Sequence, residues 1–253
     1  MLIVEDRDRV RLLTLDRPEA LNAFNEALYD AATDGLLAAD EDAGVAVVLL
    51  TGAGRAFSAG QDLHEMAQRA TGDTAFRAGR HGFPGFVDAL TDFSKPLVCA
   101  VNGVALGIGA TLLGFADLVF MSSDARVQFP FTSLGVVPEA ASSYTFPQLL
   151  GRQNAVWALM SSEWLSADEC QRVGLAWRVC PPIELLTTAL DHARVLASKP
   201  LSSLVETKRV IVEPSRQAIR EARTREDVAF ARLLGSTASQ EALRAFAEKR
   251  DRG

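Results

Sequence analysis

The sequence predicts an α/β fold that ends in a helical region, and three observations support this prediction. Two continuous apolar runs, residues 45–50 and 96–101, have the composition of strands that are covered on both faces. Segments with helical spacing alternate with strands through the first half of the chain. After a last short strand at residues 118–121, the patterns are mainly helical. This order indicates a layered α/β core followed by a helical C-terminal region.

The other elements of the first half have weaker signals. Residues 2–4 and 10–15 predict two strands that pair through a polar turn. Residues 25–39 predict a helix, because apolar side chains recur there on one side. Small side chains dominate residues 106–116, which we also predict to be helical. Residues 66–87 contain four glycines, and we predict that this segment is irregular.

In the second half, residues 166–169 have the form of a capping box, and Gly174 is placed to end the helix that follows. Two prolines begin another helix, which runs to residue 197. A Lys-Pro pair breaks it, and two or three further helices are predicted up to residue 250. The basic residues on these last helices are typical of a solvated face. They are Lys208, Arg209, Arg216, Arg220 and Arg223.

Composition excludes several classes of protein. The 253 residues carry a net charge of −6, which argues against general nucleic-acid binding. No apolar run approaches the ~20 residues that span a bilayer, and the first nine residues lack a signal core. The three cysteines are widely spaced among apolar neighbours, which predicts buried free thiols. The three histidines lack metal-ligand spacing. We therefore expect a cytoplasmic protein without a metal site, a membrane partner or a nucleic-acid partner.

Two glycine-containing turns follow the two buried strands, at residues 54–63 and 100–110. Small residues let the backbone approach a ligand, and free N–H groups at such turns are hydrogen-bond donors. Two neighbouring turns can offer two donors to one oxygen, as in an oxyanion hole. Tight packing of strand against helix would explain the same glycines. The spacing leaves both interpretations open.

The chain resembles the crotonase superfamily, also called the enoyl-CoA hydratase/isomerase family, over nearly its whole length. The segments that carry the resemblance occur in the family's order at residues 17–23, 56–63, 95–109, 116–117, 134–138, 165–169 and 173–175. The resemblance implies a spiral of repeated strand-strand-helix turns. It assigns residues 1–195 to this core and 196–253 to a helical trimerisation region, as one folding unit. It also implies a homotrimer or hexamer.

By resemblance, the substrate is an acyl-CoA thioester, and no cofactor is needed beyond the coenzyme A of the substrate. The backbone N–H groups of Ala59 and Ile108 match the family's oxyanion donors. Asp62 is expected to cap or brace the first turn. The substrate-binding positions implied by the family are Ala23, Ser58, Gly60, Gln61, Asp62 and Gly109, together with Phe246 and Lys249 of the terminal helix.

Hydratases of this family use two glutamates, and the matching positions here are Thr111 and Phe131. Glu139 instead stands alone in a stretch of apolar and small residues that resembles the 3,2-enoyl-CoA isomerase branch. There, a single glutamate moves a proton from C2 to C4. A glutamate that is partly removed from water has a pKa closer to neutrality, which suits proton transfer. The sequence thus predicts that Glu139 is the catalytic base of an isomerase that converts 3-enoyl-CoA to trans-2-enoyl-CoA.

Three alternatives stay open. Glu139 follows a proline and would also suit the start of a helix, where acids balance the dipole. The same oxyanion hole would serve hydration, ring isomerisation or hydrolysis of another acyl-CoA. The absence of carboxylates at positions 111 and 131 is also compatible with an inactive acyl-CoA-binding homologue.

Overall fold

The computed structural model describes residues 1–71, 74, 76–234, 236, 237, 239, 241 and 242. A six-stranded sheet forms its centre. In spatial order its strands are β1 (Leu2–Arg7), β2 (Val10–Leu15), β3 (Val47–Gly52), β5 (Leu97–Val101), β7 (Leu118–Ser122) and β10 (Arg178–Cys180). The first two strands form an antiparallel hairpin, and every later neighbour pair is parallel.

A second sheet consists of very short strands. Its order is β4 (Ala56–Ser58), β6 (Val104–Leu106), β8 (Arg126–Gln128) and β9 (Leu165–Ser166). The strands β4, β6 and β8 each follow a strand of the main sheet and precede a helix. This repetition is the strand-strand-helix spiral that the resemblance implied. The sequence did not predict these strands, because two or three residues are too few to show a periodicity.

Nine α-helices lie in the described part of the chain. They are α1 (Glu26–Glu41), α2 (Leu63–Thr71), α3 (Gly82–Asp92), α4 (Ile108–Thr111), α5 (Ser142–Leu150), α6 (Arg152–Ser161), α7 (Ala167–Val173), α8 (Leu185–Ala197) and α9 (Leu201–Leu234). The capping box at Ser166 and Glu169 and the left-handed cap at Gly174 bound α7 as predicted. None of these helices combines the length and the apolar composition that a bilayer span requires.

The main sheet is buried on both faces. Alternate residues of β3 point to opposite sides, so Val48 and Leu50 belong to the core under α1 and α3, while Val47 and Leu49 pack toward α8. Each fully buried side chain of this kind stabilises the fold by roughly 1.5–3 kcal/mol. The continuous apolar runs therefore predicted these strands correctly. The three cysteines are buried and free, as predicted.

Two predicted elements of the first half differ from the structure. The helix predicted at residues 106–116 is only the four residues of α4, followed by a 3-10 turn at Leu112–Phe115, because its three glycines weaken helical structure. Residues 66–87 include parts of α2 and α3 and are not wholly irregular. Asp30 of α1 orders the approach to α3 by accepting the N–H groups of residues 80–82.

Residues 201–234, within the region predicted as two or three late helices, form one helix of 34 residues, α9, which continues through Pro214. The end of that region, from residue 243 on, lies outside the described residues. Its basic side chains do not all lie on a solvated face. Lys208 is only 7% exposed and donates to the Asp117 carboxylate at 2.8 Å and to the Lys95 carbonyl. Arg216 donates to Asp92 at 3.1 Å. The interactions with α3 and the sheet hold α9 against the core. The pattern of residues along one helix does not show such contacts with distant segments.

Candidate active site

The first glycine turn presents one free N–H group. Phe24 pairs with Gln61, so that the Phe24 N–H donates to the Gly60 carbonyl at 2.7 Å and the Asp62 N–H donates to the Phe24 carbonyl at 2.8 Å. In such a parallel pair, the N–H of the middle residue, Gln61, points away from Phe24. No acceptor among the described residues bonds to it. Gly60 makes this turn possible, because its φ is 86° and a β-carbon there would come within 2.7 Å of the Leu106 carbonyl oxygen.

The prediction that Ala59 supplies a free donor is wrong. Its N–H donates to the Leu21 carbonyl at 2.9 Å and is therefore occupied within the fold. Ser58 is fully buried, and its hydroxyl donates to the Asn22 carbonyl at 2.9 Å. These two residues hold the turn in place, and the available donor lies two residues later at Gln61.

The second glycine turn presents the other free N–H group. Gly107 has φ of 53° and ψ of −122°, a conformation that L side chains disfavour, and α4 begins directly after it. The N–H groups of Ala110 and Thr111 donate to the Gly107 carbonyl. Ile108 occupies the first helical position, where the N–H has no partner within the helix, and none of the described residues accepts it. The predicted donor Ile108 thus has an unused N–H.

Gln61, Ile108 and Glu139 line one cavity. The side chains around them are almost all apolar, namely Leu63, Met66, Leu106, Pro130, Phe131, Leu134, Val136, Phe230 and Leu234. Such a wall suits an acyl chain, and the two N–H groups suit an oxygen that gains negative charge. The predicted donor Ile108 and the predicted base therefore share one space, with Gln61 as the second available donor.

Glu139 is the carboxyl group of this cavity. Burial raises its pKa from 4.5 to about 8, and the negative charges of Glu226 and Asp227 on α9 add to this effect. No hydrogen bond holds its carboxyl oxygens within the described part of the chain. At neutral pH the group is therefore able both to take and to return a proton.

The interpretation of Glu139 as a helix-start acid does not fit the structure. The carboxylate at the start of α5 is that of Glu226, which accepts the N–H groups of Ala141 at 2.7 Å and Ser143 at 2.8 Å. Glu226 was not recognised from the sequence, because it lies 83 residues from Ser143 on α9. Phe230 and Leu234, which line the cavity, were missed for the same reason.

Neither of the two positions where hydratases of the family have glutamates carries a charged side chain here. Phe131 is 4% exposed and lines the cavity. Thr111 is fully buried, and its hydroxyl has no partner among the described residues. No carboxylate approaches the cavity from either position.

The remaining residues predicted for the site lie in different places. Asp62 pairs with Arg17 at 3.1 Å and accepts the His64 N–H at 3.0 Å, so it braces the first turn as expected. Ala23 and Gly109 are buried beside the turns and do not line the cavity. Phe246 and Lys249 lie outside the described residues. Across the described ranges, no group of three His, Cys, Asp or Glu side chains is placed to hold a metal ion.

Comparison with known proteins agrees with this geometry. Two relatives are the 1,2-epoxyphenylacetyl-CoA isomerase of Escherichia coli, 37% identical over 80% of this chain and 78% of the relative, and human enoyl-CoA delta isomerase 2, 33% identical over 86% of this chain and 56% of the relative. The solved structure of enoyl-CoA hydratase EchA8_6 from Mycobacterium marinum is 62% identical, with a TM-score of 0.81 over 84% of this chain and 99% of that one. The model of the enoyl-CoA hydratase/isomerase family matches residues 5–252. With that match over almost the whole chain, the protein belongs to the enoyl-CoA hydratase/isomerase family.

Proposed function

We propose that this protein is an isomerase that converts a 3-enoyl-CoA to the trans-2-enoyl-CoA. The observation that carries the proposal is that Glu139 is the one carboxyl among the described residues that line an apolar cavity, together with the free N–H groups of Gln61 and Ile108. Human enoyl-CoA delta isomerase 2 is a relative whose name describes an isomerase of this kind.

In the proposed reaction, the thioester oxygen accepts hydrogen bonds from the N–H groups of Gln61 and Ile108. The ionised Glu139 removes a proton from C2, and the electron pair moves onto the thioester oxygen as a dienolate. The two donors stabilise this oxygen more strongly than the neutral carbonyl, which lowers the barrier. Glu139 then returns the proton at C4, and the double bond forms between C2 and C3. Atoms and electrons balance, and Glu139 ends in its starting state.

Hydration of a 2-enoyl-CoA is the second candidate, because the Mycobacterium marinum protein, 62% identical, is named a hydratase. Hydration requires a water molecule to be held and activated at C3. Glu139 would have to do this alone, because Phe131 offers no hydrogen-bonding group. The cavity therefore favours isomerisation over hydration.

The test uses two substrates and two variants. We expect wild-type protein to isomerise a 3-enoyl-CoA faster than it hydrates the corresponding 2-enoyl-CoA. Glu139→Gln keeps the size of the side chain but cannot take a proton, so isomerisation should fall by roughly 10²–10⁴. Glu163→Gln, an exposed glutamate on the connection between α6 and β9, is the matched control and should keep the wild-type rate.

Products are separated by chromatography, and thioester binding is measured with a saturated acyl-CoA. Binding should survive in Glu139→Gln, because both backbone donors remain. Faster hydration than isomerisation in the wild type would assign the protein to the second candidate. A wild-type isomerase rate in Glu139→Gln would place the base elsewhere.

A further inference from the structure

We propose that Glu226 is a positioning residue, which fixes the turn that carries Glu139 by binding two of its backbone N–H groups. This inference rests on the proposed role of Glu139 as the base. Glu226 belongs to α9, so the long C-terminal helix would hold the base in its reactive position.

The contacts are two short hydrogen bonds in a buried place. One Glu226 oxygen accepts the Ala141 N–H at 2.7 Å, and the other accepts the Ser143 N–H at 2.8 Å. Glu226 itself is 6% exposed. Burial raises the pKa of its carboxyl, and the hydrogen bonds from Ser143 and Ala141 act in the opposite direction. Both bonded amides lie within four residues of Glu139.

The turn needs such support because its backbone is strained. Ala140 and Ala141 have φ of 58° and 57°, the left-handed region that alanine disfavours. Within the turn, the Glu139 carbonyl accepts the Ser142 N–H and hydroxyl. Glu226 adds two hydrogen bonds from outside the turn. A carboxylate suits this role because it offers an acceptor oxygen to each N–H group.

The same stretch of α9 also forms part of the cavity wall. Phe230 lies one helical turn after Glu226 and lines the cavity, so both residues share one side of α9. The charges that act on Glu139 are those of Glu226 and Asp227, both on α9, and the Tyr29 hydroxyl of α1 lies within electrostatic range. Asp227 is exposed and, unlike Glu226, makes no hydrogen bond with the turn.

This difference provides a matched pair of variants. Glu226→Gln keeps one acceptor but places an amide NH₂ against the other N–H, so the turn loses a contact. We expect kcat to fall by roughly 10- to 100-fold with KM changed by less than about threefold, since small misplacements of a reacting group have effects of that size. Asp227→Asn should keep kcat within about twofold.

The pH profile separates positioning from the effect of charge, because Asp227→Asn also removes a negative charge that acts on Glu139. The kcat values of the two variants are therefore compared on the alkaline plateau, where Glu139 is ionised. Glu139 must be ionised to act, so kcat falls as the pH drops through its pKa. Loss of the Glu226 charge lowers that pKa, and the acid limb of kcat should move to lower pH in Glu226→Gln. Equal kcat losses in the two variants on that plateau would overturn the proposal. Circular dichroism checks that both variants are folded.

Hydrogen exchange on the wild-type protein gives a test that needs no variant. The Ala141 and Ser143 amides should be protected from exchange like those inside a helix, although they stand at a helix start. Exchange as fast as in an open loop would overturn the proposal. The substrate tests keep the two proposals apart: a protein that hydrates and does not isomerise contradicts the proposed function, whereas the Glu226 effect is read on whichever reaction Glu139→Gln abolishes.

Discussion

The burial of Glu139, which suits proton transfer, also disfavours the ionised form of its carboxyl in the folded protein. Burial raises the pKa of this carboxyl to about 8 in the folded protein, against 4.5 for an exposed glutamate. Between these two pH values the folded state binds more protons than the unfolded state. Stability therefore falls as the pH rises through this window, by the linkage between proton binding and folding.

This linkage predicts that Glu139→Gln stabilises the protein at alkaline pH. Glutamine carries no charge, so the variant avoids the cost of ionising a buried carboxyl. At pH 8 to 9 the free energy of unfolding should exceed that of the wild type by roughly 3–5 kcal/mol, and below pH 4.5 the difference should vanish. Denaturant unfolding at the two pH values measures it. If the difference in free energy of unfolding between variant and wild type does not grow with pH, Glu139 has an ordinary pKa.

Individual site residues were predicted with unequal success. Glu139 was predicted because it stands alone in an apolar segment that resembles the isomerase branch of the family, and the structure places it in the cavity. The donor at the first turn was placed at Ala59, whereas the unused N–H is that of Gln61. The choice between these residues depends on the pairing of Gln61 with Phe24, 37 positions earlier in the chain. Local sequence does not contain that information.

Among the elements, the short helix α4 is central to the proposed reaction, because its first N–H belongs to Ile108. Proline is well tolerated at the first position of a helix, so Ile108→Pro should fold while it removes the donor. We expect kcat to fall by roughly 10²–10³, the usual effect of losing one oxyanion donor.

Ile108→Val is the control, because it keeps the N–H and should keep the rate within a few-fold. Thermal unfolding of both variants verifies the fold. A folded proline variant with near-normal turnover would remove Ile108 from the oxyanion site.

Elements with strong local signals were predicted well, and the others depended on contacts between distant segments. The runs that became β3 and β5 are apolar on both sides, and the cap residues of α7 are explicit in the sequence. By contrast, α9 falls in a region that was predicted as two or three helices. Its single long form is held by contacts such as Lys208 with Asp117, 91 residues apart.

At the scale of the whole molecule, several large apolar side chains are exposed on the described surface. Trp157 and Met160 lie on α6, and Val210 and Ile211 lie on α9. Apolar surface of this kind marks interfaces when it forms contiguous patches. The prediction of a homotrimer or hexamer gives such side chains a place to be buried.

We therefore expect sedimentation velocity at micromolar concentration to give three or six times the mass of the chain. Dilution into the nanomolar range measures the stability of the assembly. A monomer at micromolar concentration would contradict the prediction, and activity in that monomer would show that the cavity is complete in one chain.

The two donors of the candidate site belong to the main chain, and this has a consequence for how such a protein can diverge. An amino-acid substitution at position 61 or 108 alters the side chain but leaves the backbone N–H in place, unless the new residue is proline. Glu139, the proposed base, acts through its side chain, so one substitution removes the reacting group. A lineage with this architecture can therefore keep its two backbone donors through many substitutions. The loss or relocation of a single carboxyl group is then enough to exchange one reaction for another.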